Sequence, residues 1–183
     1  SRRKFIKLTG LGVGAGVLGL SQVACKGGQK VTQPVIQGFE TTPSERDPSE
    51  GWEPVSDRKI RVGLIGYGMC NFAGGFGFQN HPNVKVEAVS DLSPDRCAAL
   101  AKRTGCKKTY PSGEELMKDE TIEAVFVATD PPSHASLAML ALKHGKHVAS
   151  AVPAVWGSLE EADMLFEAVK RSGLNYMMFE TSM

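Results

Sequence analysis

The chain contains 183 residues, of which 42% are hydrophobic, and its formal net charge is +1 at pH 7. This length and composition suit one well-packed domain with additional segments. Basic and acidic residues are scattered in similar numbers, which excludes the clustered basic face of a nucleic-acid-binding protein. The four cysteines, Cys25, Cys70, Cys97 and Cys106, lack the paired short spacing of a zinc site or a redox motif, so we predict no bound metal.

The first 25 residues have the layout of an export signal. The cationic stretch SRRKFIK precedes the apolar stretch LTGLGVGAGVLGL at residues 8–20, and the pair Arg2 and Arg3 resembles a twin-arginine signal. A membrane-spanning helix is the alternative, but such a helix needs about 20 apolar residues. This stretch is shorter and contains five glycines. We therefore expect an exported, periplasmic protein.

The signal ends in a sequence that bears on membrane attachment. The residues LSQVAC, which end at Cys25, resemble a lipoprotein cleavage site, although Gln22 stands where leucine is usual. Two outcomes stay open at this point. Either a lipid on Cys25 tethers the protein to a membrane surface, or the exported protein carries no anchor.

Residues 26–58 form a polar linker. They include Pro34, Pro43, Pro48 and Pro54 and show no sustained apolar period. Such a composition favours a disordered tether rather than a second domain. We therefore place the start of the folded domain at residue 59 and its end at residue 183.

From residue 59 onward, short apolar runs alternate with helical patterns. The predicted strands are IRVGLIG (60–66), VKVEAVS (84–90), EAVFVA (123–128), KHVAS (146–150) and LNYMMF (174–179). Helices are predicted between them, one from Ser93 to Gly105 with Pro94 at its first position, and two with capping boxes at Ser112/Glu115 and Ser158/Glu161. This alternation predicts an α/β fold with a Rossmann-like, doubly wound parallel sheet.

A glycine-rich turn follows the first predicted strand. The sequence GYGMCN (66–71) begins as GxG, and Asp91 ends the next strand, which together match a dinucleotide fingerprint. We expect cofactor contacts from the turn residues Gly66, Gly68, Met69 and Cys70.

The acidic residue of the fingerprint bears on which dinucleotide binds. Asp91 can accept hydrogen bonds from a ribose diol and would repel a 2′-phosphate, so NAD is favoured. Arg96, one helical turn further on, keeps NADP as the alternative. Asn71 replaces the third glycine of the fingerprint, and three glycines follow it in FAGGFGF. Because interior glycines weaken helices, we expect a loose or delayed first helix.

Four segments in this order and spacing carry a family resemblance: GLIGYGMC, AVSDLSPDRC, VFVATDPPSHASLAMLALKHGKHV and VPAV. Residues 59–183 resemble the N-terminal domain of the Gfo/Idh/MocA oxidoreductases. The resemblance implies that the segment after the predicted strand at residues 123–128 lies along the cofactor, with contacts from Thr129, Pro131 and His134. A His134 side chain that faces solvent or caps the turn is the alternative.

The same resemblance shows where this chain departs from the family. Relatives carry Glu-Lys-Pro after the next strand, with the lysine poised to exchange a proton with the substrate hydroxyl. Here those positions are Ala151, Val152 and Pro153. Valine has no proton to exchange, so the lysine's role cannot be transferred, and no catalytic residue is assigned. Pro153 still fits the bend that shapes the cofactor pocket.

Three functions stay open. The first is an oxidoreductase that acts on a sugar or polyol with NAD. The second is an NAD-dependent glycoside hydrolase, because some branches of the family share Val-Pro at this place and a segment like MMFE (177–180). The third is a nucleotide-binding protein without catalysis. Glu180 and Thr181, at the end of the last strand, are candidates for a base or a substrate contact, or are simply solvated.

The resemblance also implies a second domain. Family members continue into a larger α/β domain that supplies substrate contacts, so we expect residues 59–183 alone to bind cofactor and turn over nothing. We expect the full-length protein to form a homo-oligomer and to take a small carbohydrate or polyol as substrate.

Overall fold

The computed structural model describes residues 51–179. The predicted signal at residues 1–25, the linker up to residue 50, and the candidates Glu180 and Thr181 lie outside the described residues. Within them, no helix has both the length and the apolar character needed to cross a membrane.

A parallel sheet of six strands forms the centre of the domain, in the order β3-β2-β1-β4-β5-β6. This arrangement confirms the predicted doubly wound α/β fold. The strands are Ile60–Ile65 (β1), Val84–Ser90 (β2), Thr109–Tyr110 (β3), Ala124–Val127 (β4), His147–Ala151 (β5) and Tyr176–Phe179 (β6). Sequence analysis missed β3, because a strand of two residues is too short to show an alternating pattern.

Five helices connect the strands: Phe72–Gly75 (α1), Pro94–Thr104 (α2), Gly113–Met117 (α3), His134–Lys143 (α4) and Leu159–Ser172 (α5). The serine caps of both predicted capping boxes are confirmed, since Ser112 accepts a hydrogen bond from the amide of Glu115, and Ser158 accepts one from that of Glu161. The side chains of Glu115 and Glu161 bond elsewhere, to Lys118 Nζ and to the amide of Trp156. The predicted cap of α2 is wrong in part. The helix does begin at Pro94, but the Ser93 side chain makes no capping bond, and its amide instead donates to Asp91 Oδ1.

The helices cover the two faces of the sheet unequally. One face carries α3, α4 and α5 over a core that includes Val125, Val127 and Leu165. The opposite face carries α1, α2 and a group of phenylalanines that packs around Phe126. The chain therefore leaves β1 towards one face and leaves the neighbouring β4 towards the other. A crevice opens between the ends of two such strands, and ligands of open α/β sheets bind there.

Residues 55–58, the last four of the predicted linker, contact the amino-terminal edge of the sheet. The buried side chain of Asn83 accepts a hydrogen bond from the amide of Val55 and donates to the carbonyl oxygens of Ser56 and Arg58. Arg58 also forms an ion pair with Glu123. The chain thus enters the domain at the edge opposite to the strand ends that form the crevice.

A buried carboxylate organises the loop after α3. The Asp119 side chain is 6% exposed and accepts hydrogen bonds from Lys108 Nζ, from the Tyr110 hydroxyl and from the amide and hydroxyl of Thr121. Burial alone would raise the pKa of Asp119, but these donors outweigh it and hold the pKa well below its usual range. The ionised carboxylate therefore stabilises the folded state.

Replacement of Asp119 with alanine should lower the free energy of unfolding by about 2 kcal/mol at pH 7. Because the folded-state pKa is depressed, this contribution is present above the unfolded pKa of about 4 and is lost as the pH falls further. Denaturant unfolding of both proteins at several pH values measures the effect, and the difference should shrink below pH 4. Glu120→Ala, at the exposed neighbouring carboxylate, is the control, and an equal loss of stability in the two variants would contradict the interpretation.

Candidate functional site

A cleft of about 570 Å³ opens at the crevice between the carboxyl ends of β1 and β4. The turns after β1, β2, β4 and β5 all contribute to its walls. With the exception of Pro153, every residue predicted to contact a cofactor lines this cleft: Gly66, Gly68, Met69, Cys70, Asp91, Arg96, Thr129, Pro131 and His134. The fold therefore brings together residues that are up to 68 positions apart, Gly66 and His134 being the most distant pair.

Gly66 makes the turn after β1 and fits tightly against the neighbouring strand. Its φ of +93° lies in the left-handed region, which confirms the predicted tight turn. A Cβ atom at this position would lie 2.6 Å from the carbonyl oxygen of Ala128, at the end of β4. The Gly66 amide also donates to the carbonyl oxygen of Ser90, at 2.9 Å. Glycine is therefore required here by the protein's own packing.

Gly68 differs, because nothing in the described part of the protein requires glycine there. A Cβ atom added to Gly68 would have no protein atom within 4 Å, and its φ lies outside the left-handed region. The residue nevertheless lines the cleft. A glycine that faces open space at the end of β1 allows a ligand to approach the backbone closely, as the pyrophosphate of a dinucleotide does.

The first helix is short, as the glycines predict. α1 has four residues and is followed by a 3-10 turn at Phe78–Asn80. Asn71, which replaces the third glycine of the fingerprint, adopts a left-handed φ of 52° and accepts hydrogen bonds from the amides of Gly74 and Gly75. Asparagine tolerates this conformation better than most residues, so the turn survives without the glycine.

Asp91 joins the turn after β1 to the start of α2. Its side chain is 5% exposed, and Oδ2 accepts a hydrogen bond of 2.7 Å from the amide of Tyr67. Oδ1 accepts from the amide of Ser93 and from Nε of Arg96, at 2.8 and 3.0 Å. The Arg96 side chain is 54% exposed, so it can leave this pair at low cost. The carboxylate is thus held in place and retains acceptor capacity on Oδ2 for a ribose hydroxyl.

A network of hydroxyl groups shapes the loop after β4. The hydroxyls of Thr129 and Ser133 are 2.8 Å apart, and Ser133 Oγ lies 2.9 Å from both the carbonyl oxygen and Oδ1 of Asp130. The single proton of Ser133 can serve only one of the Asp130 oxygens, so the Thr129 hydroxyl is the donor towards Ser133. Acceptor lone pairs of Thr129 then remain on the cleft side.

His134 connects two walls of the cleft. It is 1% exposed, its Nδ1 lies 2.8 Å from the carbonyl oxygen of Pro153, and its Nε2 lies 3.1 Å from that of Thr129. The alternative in which His134 faces solvent is therefore wrong. Pro153, a predicted cofactor contact, is not among the described residues that line the cleft, and its carbonyl oxygen contacts this imidazole. The imidazole holds the loop after β4 against the turn after β5.

Val152 lies in the cleft where relatives carry the lysine. It follows Ala151, the last residue of β5, and precedes Pro153 across a cis peptide bond. Val127 pairs with Ser150 near the ends of the two strands, and Thr129 and Val152 both line the cleft beyond this pair. The wall here therefore carries no basic group at position 152.

The structure adds cleft residues that sequence analysis missed, from the end of β2, the start of α3 and α4: Ser90, Gly113, Glu114, Ser136 and Leu137. Glu114 stays ionised, because hydrogen bonds from its own amide and from Ser112 lower its pKa. Gly113 allows α3 to approach β1, since a Cβ atom there would lie 2.8 Å from Cγ2 of Ile65. No sequence signal placed α3 at the cleft, because its position depends on how the chain crosses the sheet after β3.

The described residues show no metal-binding cluster, since no three His, Cys, Asp or Glu side chains among residues 51–179 come close enough to hold an ion. The polar groups of the cleft are instead carboxylates, hydroxyls, backbone amides and one guanidinium. With an open glycine wall and a fixed carboxylate at the end of β2, these groups fit a dinucleotide.

Comparison with known proteins agrees with this geometry. The model of an oxidoreductase family with an NAD-binding Rossmann fold, the Gfo/Idh/MocA family, matches residues 60–180. The chain is 30% identical over 175 residues to glycosyl hydrolase family 109 protein 1 of Bacteroides fragilis, an alignment that covers 89% of this chain and 37% of that protein. It is 26% identical over 113 residues to myo-inositol 2-dehydrogenase of Thermotoga maritima, covering 62% and 34%.

A solved structure shows the same fold. Apo scyllo-inositol dehydrogenase from Lactobacillus casei superposes with a TM-score of 0.62 at 19% identity, over 67% of this chain and 37% of that chain. The present chain thus spans little more than a third of the length of the relatives it matches.

The two glycines of the turn should respond differently to alanine. Gly66→Ala forces a Cβ against the Ala128 carbonyl in a left-handed backbone and should lower the free energy of unfolding by about 2 kcal/mol or more. Gly68→Ala should leave stability within about 0.5 kcal/mol and weaken NAD binding about tenfold or more, because its methyl group occupies the space needed for the pyrophosphate. Thermal unfolding without ligand and calorimetric titration with NAD measure both effects. Unchanged NAD affinity in Gly68→Ala would contradict the assignment of this wall.

Proposed function

Because the chain belongs to the Gfo/Idh/MocA oxidoreductase family, we propose that it is the cofactor-binding part of an enzyme that transfers hydride between a sugar or polyol and NAD. The observation that carries this proposal is the cleft between β1 and β4, with Gly68 facing open space and Asp91 fixed at its rim. The dehydrogenase named among the relatives supports the substrate class.

The charges at the end of β2 support NAD over NADP. The buried Asp91 carboxylate would accept a ribose hydroxyl, and a 2′-phosphate at the same place would meet its negative charge. Arg96 is already paired with this carboxylate. To bind a 2′-phosphate, Arg96 would have to leave this pair. The Asp91 carboxylate would then face the phosphate without the guanidinium, and the two negative charges would repel each other.

The residues of this chain would bind and orient the cofactor rather than move the substrate's proton. The nicotinamide ring supplies the hydride chemistry when the cofactor is bound. His134 fixes the loop after β4 against the turn that contains Val152, and Thr129 lines the same cleft. We propose that the group which accepts the proton of the substrate hydroxyl lies outside residues 51–179.

A glycoside hydrolase is the second candidate function. Two observations favour it: the similarity to a glycosyl hydrolase family 109 protein covers 89% of this chain, and Val152 lacks the proton that a simple dehydrogenase mechanism needs. In such a reaction, a ring carbinol would give its hydride to bound NAD and its hydroxyl proton to a base, and the resulting ketone would acidify the neighbouring C–H. Removal of that proton would expel the protonated leaving group, water would add to the double bond, and return of the hydride and a proton to the ketone would restore the hydroxyl. No net oxidation results.

Turnover assays separate these functions. The complete gene product that contains these residues should be incubated with myo-inositol and with aryl glycosides, each with NAD and with NADP. The first proposal expects NADH to accumulate with a polyol and expects a much weaker response with NADP. Cleavage of an aryl glycoside without net NADH would support the hydrolase. NAD binding with neither activity would contradict both and indicate a nucleotide-binding protein without catalysis. Gly68→Ala is the control, because its weaker NAD binding should raise the NAD concentration that either activity requires.

We also propose that the protein is exported through the twin-arginine route. The support is in the sequence, where Arg2 and Arg3 precede the apolar stretch at residues 8–20. This route carries folded proteins, so it could deliver the cofactor already bound. Fractionation of cells that express the protein tests the proposal, and replacement of both arginines by lysine should retain it in the cytoplasm. Recovery of the unaltered protein from the cytoplasm alone would contradict export.

A further inference from the structure

Ser90 carries a buried hydroxyl group without a partner. It is the last residue of β2 and is 0% exposed, and its Oγ makes no hydrogen bond to any of the residues the structure describes. Folded proteins keep few buried polar groups unpaired, because each has lost its hydrogen bonds to water without replacement. A group of this kind in a cleft therefore indicates a partner that binds there.

The position of Ser90 indicates which part of a ligand lies nearby. Its carbonyl oxygen accepts the amide of Gly66, and Asp91 follows it directly in the chain. Because side chains alternate along a strand, Ser90 points to the opposite face from Val89, towards α3 and α4. It lines the cleft there beside Gly113 and Leu137. The lining here combines the apolar Ile65 and Leu137 with the polar Glu114 and Ser136, a mixture that can hold a heteroaromatic base.

We propose that Ser90 donates a hydrogen bond to the adenosine half of the dinucleotide and thereby contributes to cofactor affinity. The inference rests on the proposed NAD binding. The adenosine half is favoured over the nicotinamide half because Asp91, the neighbouring residue, is the acceptor for the adenosine ribose. The wall at Val152 belongs to β5, which is two strands away from β1 and three from β2 in the sheet.

A second serine offers a matched control. Ser150 is also 0% exposed and lies near the carboxyl end of β5, but its Oγ is 2.8 Å from the hydroxyl of Tyr176. Ser150 is not among the residues that line the cleft. Both serines are thus fully buried near the carboxyl end of a parallel strand. They differ in their hydrogen-bond partner, which the described part of the protein supplies for Ser150 but not for Ser90.

Alanine variants of both serines in the 183-residue chain test the proposal. Ser90→Ala should keep or raise the midpoint of thermal unfolding without ligand, since it removes an unpaired polar group. Its dissociation constants for NAD and for AMP should rise by about fivefold, the effect of one hydrogen bond. Binding of nicotinamide mononucleotide should stay the same. Ser150→Ala should lower the unfolding midpoint, because it orphans the Tyr176 hydroxyl, and should leave NAD affinity unchanged.

The outcomes separate this inference from the proposed function. If the unaltered chain binds NAD and Ser90→Ala binds it equally well, the inference fails while the cofactor assignment stands. A lower unfolding midpoint in Ser90→Ala with unchanged affinity would show that the hydroxyl serves a buried water or the fold alone. If the unaltered chain binds neither NAD nor AMP, the cofactor assignment itself is wrong. A loss confined to nicotinamide mononucleotide would overturn the choice of the adenosine half.

Discussion

The buried carboxylate of Asp91 is the interaction on which the candidate site depends. One of its oxygens binds the amide of Tyr67 in the glycine turn, and the other binds the amide of Ser93 and the guanidinium of Arg96. These bonds tie the turn after β1 to the loop after β2 before any ligand is present. The same carboxylate that would select a ribose therefore also shapes the turn that would hold the pyrophosphate, because a backbone amide and a ribose hydroxyl can be bound by different lone pairs of one group.

On the other side of the cleft, His134 performs the corresponding role for the loop after β4. Its ring lies between the carbonyl oxygens of Thr129 and Pro153, which belong to loops after adjacent strands. This explains how the wall around Val152 keeps its form although valine offers no polar contact. Val152 lines the cleft without a group that could transfer a proton, and the contacts of His134 do not depend on one. Under the proposed function, the proton acceptor lies outside residues 51–179.

Both candidate enzyme functions require the same cleft and differ only in the steps after hydride transfer. A dehydrogenase releases the oxidised product, whereas a hydrolase of this type returns the hydride after the glycosidic bond has broken. The structure of the cofactor half is compatible with either, since orientation of the dinucleotide is common to both. The unpaired hydroxyl of Ser90 and the open wall at Gly68 concern binding alone and therefore hold for both functions.

Much of this protein can be derived from local sequence signals. The period of the apolar residues predicted five of the six strands, and capping boxes and glycines located the helix ends, because these features act over a few neighbouring residues. The GxG turn and Asp91 located residues that line the cleft for the same reason. Only the tertiary structure showed that His134 is buried between two carbonyl groups, that Pro153 does not line the cleft, and that α3 brings Gly113 and Glu114 into it. Those facts depend on how distant segments cross the sheet and pack, and no local pattern carries that information.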